Sequence, residues 1–303
     1  MGMAPMPTVE TQQTLARSVE RAGVGVHSGR PVTVRLCPAP DDHGVTFVRT
    51  DLPGRPEIPA RVENIAPDGL MRQTSLALAG RPDARVETVE HVLAALNACG
   101  VDNCRVEIDA AEAPLFDGSA RDMAEAIDEA GLTALKTARR LACLSAPIAF
   151  SRGEVELVAT PSDQLRLTFF LDYSGTLIGR QALSVVVTPD VFRRQIAPAR
   201  TFCLKHEIDF LREKGLIKGG SLDMAIIVDG DRLYNGHTTL RFEDEFVRHK
   251  ILDLLGDLYL LGRPLRAHVL AVKSGHATHA AFVAQLKQAV GDDTVAVYRE
   301  RRT

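Results

Sequence analysis

The sequence predicts an α+β protein of two similar-sized domains, spanning 9–135 and 139–300. Three observations carry this. Runs that alternate apolar and polar residues, the period of half-buried strands, recur along the chain. Runs with helical spacing that stop at glycine lie among them. Both halves repeat this mixed layout with no fixed-period repeat, and at about 150 residues per domain a chain of 303 makes two units that can each bury a core.

The elements follow in order. Pro31 to Leu36 and Cys104 to Asp109 alternate with period two and read as strands. Between them Val89, Val92, Leu93 and Leu96 keep helical spacing from Glu87 to Cys99, and Gly100 supplies the stop. A second helix is expected from Ser119 to Ala130, capped by Asp117 or Ser119 and ended by Gly131. Lys136-Thr137-Ala138-Arg139-Arg140 reads as a basic joint within a linker near 132–140. Beyond it, strands are expected at Glu154–Thr160, Leu165–Asp172, Ala182–Thr188 and Leu222–Asp229, with a helix around His206–Lys214 among them. A long helix over Asp244–Leu261, a strand over Leu265–Lys273 and a helix over Ala280–Val290 complete the chain.

Composition narrows the function classes. With 45% apolar residues the chain is globular, and a net charge of −3 without long single-sign blocks gives no overall pull toward nucleic acid or an anionic bilayer. Five cysteines, 37, 99, 104, 143 and 203, form no C-x-x-C pair, which fits small buried hydrophobes in a reducing compartment better than a disulfide framework or a zinc knuckle. No stretch approaches 18 consecutive apolar residues and the N-terminus lacks a secretion pattern, so a cytoplasmic protein with no transmembrane segment is expected.

The most informative run is Glu243 to Leu260. His249, Asp253 and Asp257 stand at i, i+4 and i+8 and stack on one stripe of a helix that is otherwise mostly Ile and Leu. Burying these groups is costly unless they are compensated, and one divalent cation satisfies an imidazole and a carboxylate together. A solvated face carrying an ordinary i,i+4 pair is the alternative. Glu90 and His91 sit on another largely apolar helix, where His91 could ligate a metal while Glu90 reaches an attacking water. A satisfied core histidine is the alternative there. Combined, the segments make a two-His, one-carboxylate set with an open position, the form of a catalytic zinc site. Lys273-Ser274-Gly275-His276 places a third histidine on a glycine-flanked turn, suited to donating a proton or stabilising an oxyanion, with Asp257 positioned to hold it and His279 competing for the role. Gly23 to Gly29 superficially resembles a dinucleotide-binding turn, but its third glycine is wrongly spaced and no preceding strand is evident. No Walker loop, H-E-x-x-H or G-x-S-x-G occurs, which excludes the common NTPase, zincin and α/β-hydrolase signatures.

Taken together, these segments resemble the zinc-dependent UDP-3-O-acyl-N-acetylglucosamine deacetylases of lipid A biosynthesis. The resemblance rests on Gly23–Gly29, Thr88-Val89-Glu90-His91, Pro114–Ala120, Ala199-Arg200-Thr201-Phe202, Gly219-Gly220-Ser221, Leu240–Lys250, Gly256-Asp257-Leu258 and Lys273-Ser274-Gly275-His276, in family order from residue 23 to 276. The Arg-Phe-Glu-Asp-Glu-Phe-Val-Arg-His-Lys run with Asp253 and Asp257 downstream is its most specific part. It implies two α+β domains whose sheets sandwich the helices, with an apolar passage for an acyl chain. It implies Zn2+ held by His91, His249 and Asp253, with Glu90 as general base and His276 as the cation that stabilises the oxyanion and protonates the leaving amine. Asp257 matches the partner of His276, Thr201 a hydroxyl donor to the tetrahedral intermediate, and Lys250 a phosphate or nucleotide contact. Phe202 falls in the matched segment and is placed with the substrate-binding residues, and Ile208, Ser221, Ala225 and Ile227 match part of the passage. The implied substrate is a UDP-linked acylated N-acetylglucosamine and the implied protein a monomer that binds no nucleic acid.

Three positions depart from the family pattern. His279 stands where an asparagine is usual, Asn235-Gly236-His237-Thr238-Thr239 is atypical, and Lys205-His206 replaces more apolar residues near the passage mouth, a change that bears on acyl-chain preference. Two other readings stay open. Zinc chemistry of this kind also serves other amides, and 29 Arg against 7 Lys is compatible with an RNA-binding module.

Overall fold

The computed structural model of the protein describes residues 9–290 apart from 67, 223, 236 and 237. It is an α+β fold. In chain order the first half contains β1 (Thr11–Leu15), β2 (Val19–Val24), β3 (Pro31–Pro38), β4 (Val45–Arg49), β5 (Glu57–Pro59), β6 (Leu76–Leu78), β7 (Arg81–Val86), α1 (Glu90–Cys99), β8 (Cys104–Ile108), α2 (Arg121–Ala130) and β9 (Leu132–Ala138). The second half contains β10 (Ala142–Cys143), β11 (Ile148–Arg152), β12 (Val155–Pro161), β13 (Arg166–Tyr173), β14 (Gly179–Val186), the single turn α3 (Pro189–Val191), β15 (Phe202–Leu204), α4 (Ile208–Glu213), β16 (Ile226–Asp229), β17 (Arg232–Leu233), α5 (Glu245–Leu258), β18 (Leu265–Val272) and α6 (His276–Ala289).

Two main sheets form. One runs β2-β3-β8-β4-β5, with β4 and β8 parallel and the other neighbours antiparallel; the other runs β11-β12-β18-β13-β14, with β13 and β18 parallel and β10 joined to β18. Their inner faces follow from alternation: Val32, Val34 and Leu36 of β3 and Leu265, Ala267, Val269 and Ala271 of β18 are buried. Helix α2 buries one stripe and packs on β2, α5 packs on β13 and β14, and α1 packs on both α2 and α5. Helices from both halves thus meet between the sheets. Accordingly α1 and α5 are buried around most of their circumference, and one apolar cluster continues through both halves.

Several expectations change. The basic joint at Lys136–Ala138 is the end of β9, because β1 pairs with it and Asp41 Oδ1 accepts from the N–H groups of Lys136 and Thr137 at 3.1 and 2.7 Å. The chain crosses between halves only at 139–141, where Arg139 is pinned by Asp102 and Glu10. Helix α6 starts at His276, not Ala280, since the N–H groups of Thr278 and His279 donate to Gly275 O and form a first turn of polar residues that apolar spacing does not register. Of Leu222–Asp229 only Ile226–Asp229 pairs as a strand, and the long helix ends at Leu258 before a tighter turn over Tyr259–Leu261. A strand does precede the glycine-rich Gly23–Gly29 segment. It is β2, which forms a hairpin with β3, so no helix follows and a dinucleotide turn is excluded on topology.

Candidate metal centre and active site

Three buried side chains from two helices converge. His91 in the first turn of α1, and His249 and Asp253 one turn apart on α5, each offer a ligand atom within 4.8 Å of the others. Asp253 Oδ1 lies 3.3 Å from His249 Nε2 and 3.9 Å from His91 Nε2. The remaining ring nitrogens face backbone: His249 Nδ1 is 3.1 Å from Ala199 O and His91 Nδ1 is 3.4 Å from Ser119 O. An Nδ1–H donating outward leaves the Nε2 lone pair directed at the shared point, the tautomer that metal ligation requires. Phe202 meets the His249 ring edge-on and rests in turn on Phe246, which fixes the ring plane.

The donor set fits a divalent ion of the zinc type, with two neutral imidazoles and one carboxylate. Burial lowers both imidazoles, His91 to about 4, so neither carries a proton that would repel the ion. Burial alone would raise the Asp253 carboxyl, but Lys250 and the charged His276 hold it well below the usual carboxylate range. Lys250 Nζ donates to Asp253 Oδ2 at 2.6 Å, which leaves Oδ1 facing the imidazoles. All three candidate ligands are at most 5% exposed, so the stripe is not a solvated face.

Beside this set lies an acid–base pair. Burial pushes the Glu90 carboxyl up to about 7. Burial would lower the His276 imidazole, yet Asp257 raises it to about 9. His276 Nδ1–H donates to Asp257 Oδ2 at 2.8 Å, and its Nε2 is 3.9 Å from Asp253 Oδ2. His279 also donates from Nδ1 to Asp257 Oδ2, at 2.7 Å, while its Nε2 meets Ser274 Oγ at 2.8 Å. The residue standing in place of the usual asparagine therefore puts a second imidazole donor on the carboxylate that holds His276. Burial lowers the His279 imidazole, so it donates as a neutral ring. Two non-glycine residues with positive φ, Thr88 at 57° and Lys273 at 52°, turn the chain into α1 and toward α6 just before Glu90 and His276. Such backbone costs about 1–3 kcal/mol each and persists where surrounding structure over-determines it.

A cavity of about 520 Å³ opens onto these groups, lined by Glu90, His91, His249, Lys250, Asp253 and His276. Thr201, Phe202 and Ala225 also line it, together with apolar Val26, Leu115, Leu211 and Ile217. The structure does not bring Ile208, Ser221 or Ile227 to its wall: Ile208 begins α4, Ser221 is exposed, and Ile227 is buried in β16. Lys205 is absent from the wall too, since its ammonium pairs with Asp229 and lies over the Tyr234 ring. Asn235, in the atypical segment, is buried and closes a turn by donating to Leu222 O and Ala225 O; Gly236 and His237 lie outside the described residues.

Much of the signature run is construction around this site. Glu245, fully buried, accepts from Arg200 N and Nε and from Arg241 N, and so holds the segment before Thr201 against the start of α5. Arg241 also reaches Asp117. Glu112 accepts from the N–H groups of His27 and Ser28, fixing the glycine-rich hairpin at the cavity rim. Sequence reasoning missed Thr74, whose hydroxyl and N–H lie among the buried carboxylates, and no motif or spacing around Gln73-Thr74-Ser75 signals it.

The family model described as UDP-3-O-acyl N-acetylglycosamine deacetylase matches residues 12–288. A UDP-3-O-acyl-N-acetylglucosamine deacetylase of Anaeromyxobacter dehalogenans is 45% identical over 272 residues, 90% of this chain and 86% of the relative. Proteins of the same name from Chlamydia pneumoniae and Thermosynechococcus vestitus are each 42% identical, covering 92% and 96% of this chain and 98% of each relative. With a model that spans nearly all of the described residues and relatives this similar over 86–98% of their length, the chain belongs to the UDP-3-O-acyl N-acetylglycosamine deacetylase family.

Proposed function

We propose that the protein is a zinc-dependent amidohydrolase that removes the N-acetyl group from UDP-3-O-(3-hydroxyacyl)-N-acetylglucosamine, an early committed step of lipid A biosynthesis. The observation that carries the reading is the buried His91, His249 and Asp253 set facing the same cavity as Glu90 and His276. A bound zinc ion supplies Lewis acidity there and brings the pKa of a water toward about 7. Glu90 takes the proton from the water that attacks the acetyl carbonyl. The Thr201 hydroxyl and the His276 imidazolium face the developing oxyanion, and His276 then protonates the departing glucosamine nitrogen. Acetate and a free amine leave.

Asp257 keeps His276 charged and oriented. Phe202, Lys250 and Ala225 line the cavity, which supports placing them against the substrate, and we assign Ile208, Ser221 and Ile227 to the acyl passage beyond it on the resemblance alone. We divide the chain into units near 9–135 and 139–300, the first running on to Ala138 where β9 ends, since among the described residues every strand pairing stays on one side of 139–141. One chain carries every group named, in keeping with a monomer. The five free cysteines, and the lack of a long apolar helix able to cross a membrane among the described residues, fit a cytoplasmic location.

The test measures metal content and hydrolysis of the UDP-3-O-acyl-N-acetylglucosamine substrate on the native protein and on His249→Ala. About one zinc per chain, with metal and turnover both lost in the variant, is expected from a three-ligand catalytic site. Zinc without turnover would move the substrate to another amide. No metal in either protein after zinc-replete purification would overturn the hydrolase reading.

A further inference from the structure

The geometry points to Thr74 as a positioning residue that locks the proposed general base and the proposed acid into one arrangement. Thr74 lies outside every motif, on the segment leading into β6, and is 1% exposed. Both of its backbone groups are engaged at the start of α1: its N–H donates to Glu90 Oε2 at 3.0 Å and its carbonyl accepts from Val89 N at 3.1 Å. Its hydroxyl donates to Asp257 Oδ1 at 2.6 Å and sits 3.1 Å from His276 Nδ1. One residue therefore touches the carboxylate on α1, the carboxylate on α5 and the imidazole that opens α6.

The consequence is geometric. Glu90 and His276 must act on opposite ends of one reaction, and they are carried by helices from different halves of the chain. Asp257 Oδ2 is already occupied by His276 and His279, so Oδ1 is the atom that sets the rotation of the carboxylate, and the Thr74 hydroxyl is the donor on it. Because the same residue's N–H fixes Glu90, a shift of either carboxylate is passed to the other through a single short backbone segment. A hydroxyl is required for this, while the threonine methyl is not. Hydrogen-bond partners one layer removed from a reactive centre typically change activity by about 10- to 100-fold.

The inference rests on the proposed deacetylase reading, and the experiment separates the two. Zinc-loaded native protein, Thr74→Val, Thr74→Ala and Thr74→Ser are assayed on UDP-3-O-acyl-N-acetylglucosamine for kcat, KM and zinc content. Thr74→Val and Thr74→Ala should each lose about 10- to 100-fold in kcat with KM within about threefold and zinc unchanged, and Thr74→Ser should recover to within about threefold of native. Running both non-hydroxyl variants keeps the comparison intact if one of them does not fold. Full kcat in either, or a serine variant no better than valine, would overturn the positioning role while native turnover upholds the deacetylase. Native protein without turnover would overturn the deacetylase reading, and with it the role.

Discussion

A Cβ added to Gly256 would lie 2.1 Å from the carbonyl oxygen of Glu90. Glycine at this point lets α5 press its backbone against the start of α1, which is what brings His249 and Asp253 within reach of His91. Gly256→Ala should force the helices apart, costing about 1–3 kcal/mol of stability by overpacking. It should also weaken zinc binding and lower kcat at least about tenfold, because the three ligand atoms no longer share one point. Zinc titration with parallel denaturant unfolding checks both, and native zinc affinity in a folded Gly256→Ala protein would contradict the argument.

Activity should depend on pH through two groups whose shifts have the same direction and opposite meaning. Glu90, the proposed base, can act only when deprotonated; its carboxyl is raised to about 7, so activity should fall as pH drops through that value. A bound divalent cation favours the carboxylate and moves this acidic limb lower. In the proposed reaction His276 acts as a cation; with its imidazole raised to about 9, activity should be retained at neutral pH and fall as pH rises through 9. A kcat/KM profile of His276→Ala should lose the basic limb, and one that keeps it would assign that limb to another group.

Removing the metal should abolish turnover and zinc should restore it. Because the three candidate ligands are converged in the folded chain, zinc should also stabilise the fold, by about 4 kcal/mol at free zinc a thousandfold above its Kd. Thermal denaturation of chelated and zinc-loaded protein reads this directly. Identical melting curves at saturating zinc would count against a site formed by folding.

His279 and the usual family asparagine both present a donor, so His279→Asn should retain the bond to Asp257 and stay within about 1 kcal/mol of native stability. His279→Leu leaves Ser274 and one contact of Asp257 without a partner in a fully buried place, and should cost about 1–3 kcal/mol. Urea unfolding of the pair separates the two outcomes; equal loss in both would mean the ring's volume, not its donor, is what matters.

The helical stripe at His249, Asp253 and Asp257 was legible because a fixed 3.6-residue period converts sequence spacing directly into spatial alignment. The glycine stops at Gly100 and Gly131 were legible for a similar local reason. Thr74 was not, since its role depends on three partners at positions 90, 257 and 276, and no local pattern encodes a contact across such separations. Strand order was not legible either: β8 sits between β3 and β4 because of long-range pairing. The end of β9 looked like a linker because Lys136 and the arginines that follow the strand read as an exposed basic run, and the partner that makes it a strand lies more than a hundred residues earlier.

The candidate ligands are divided between the two halves of the chain, one imidazole before the crossing at 139–141 and one imidazole with one carboxylate after it. Neither portion alone can hold the ion with three bonds. A metal seated there would act as a rivet between α1 and α5, so that the event that arms the proposed hydrolase would also fasten its halves. The apoprotein should open first along that seam, with amide exchange fastest at the facing turns of these two helices, and a fragment lost on either side would erase activity and metal retention together.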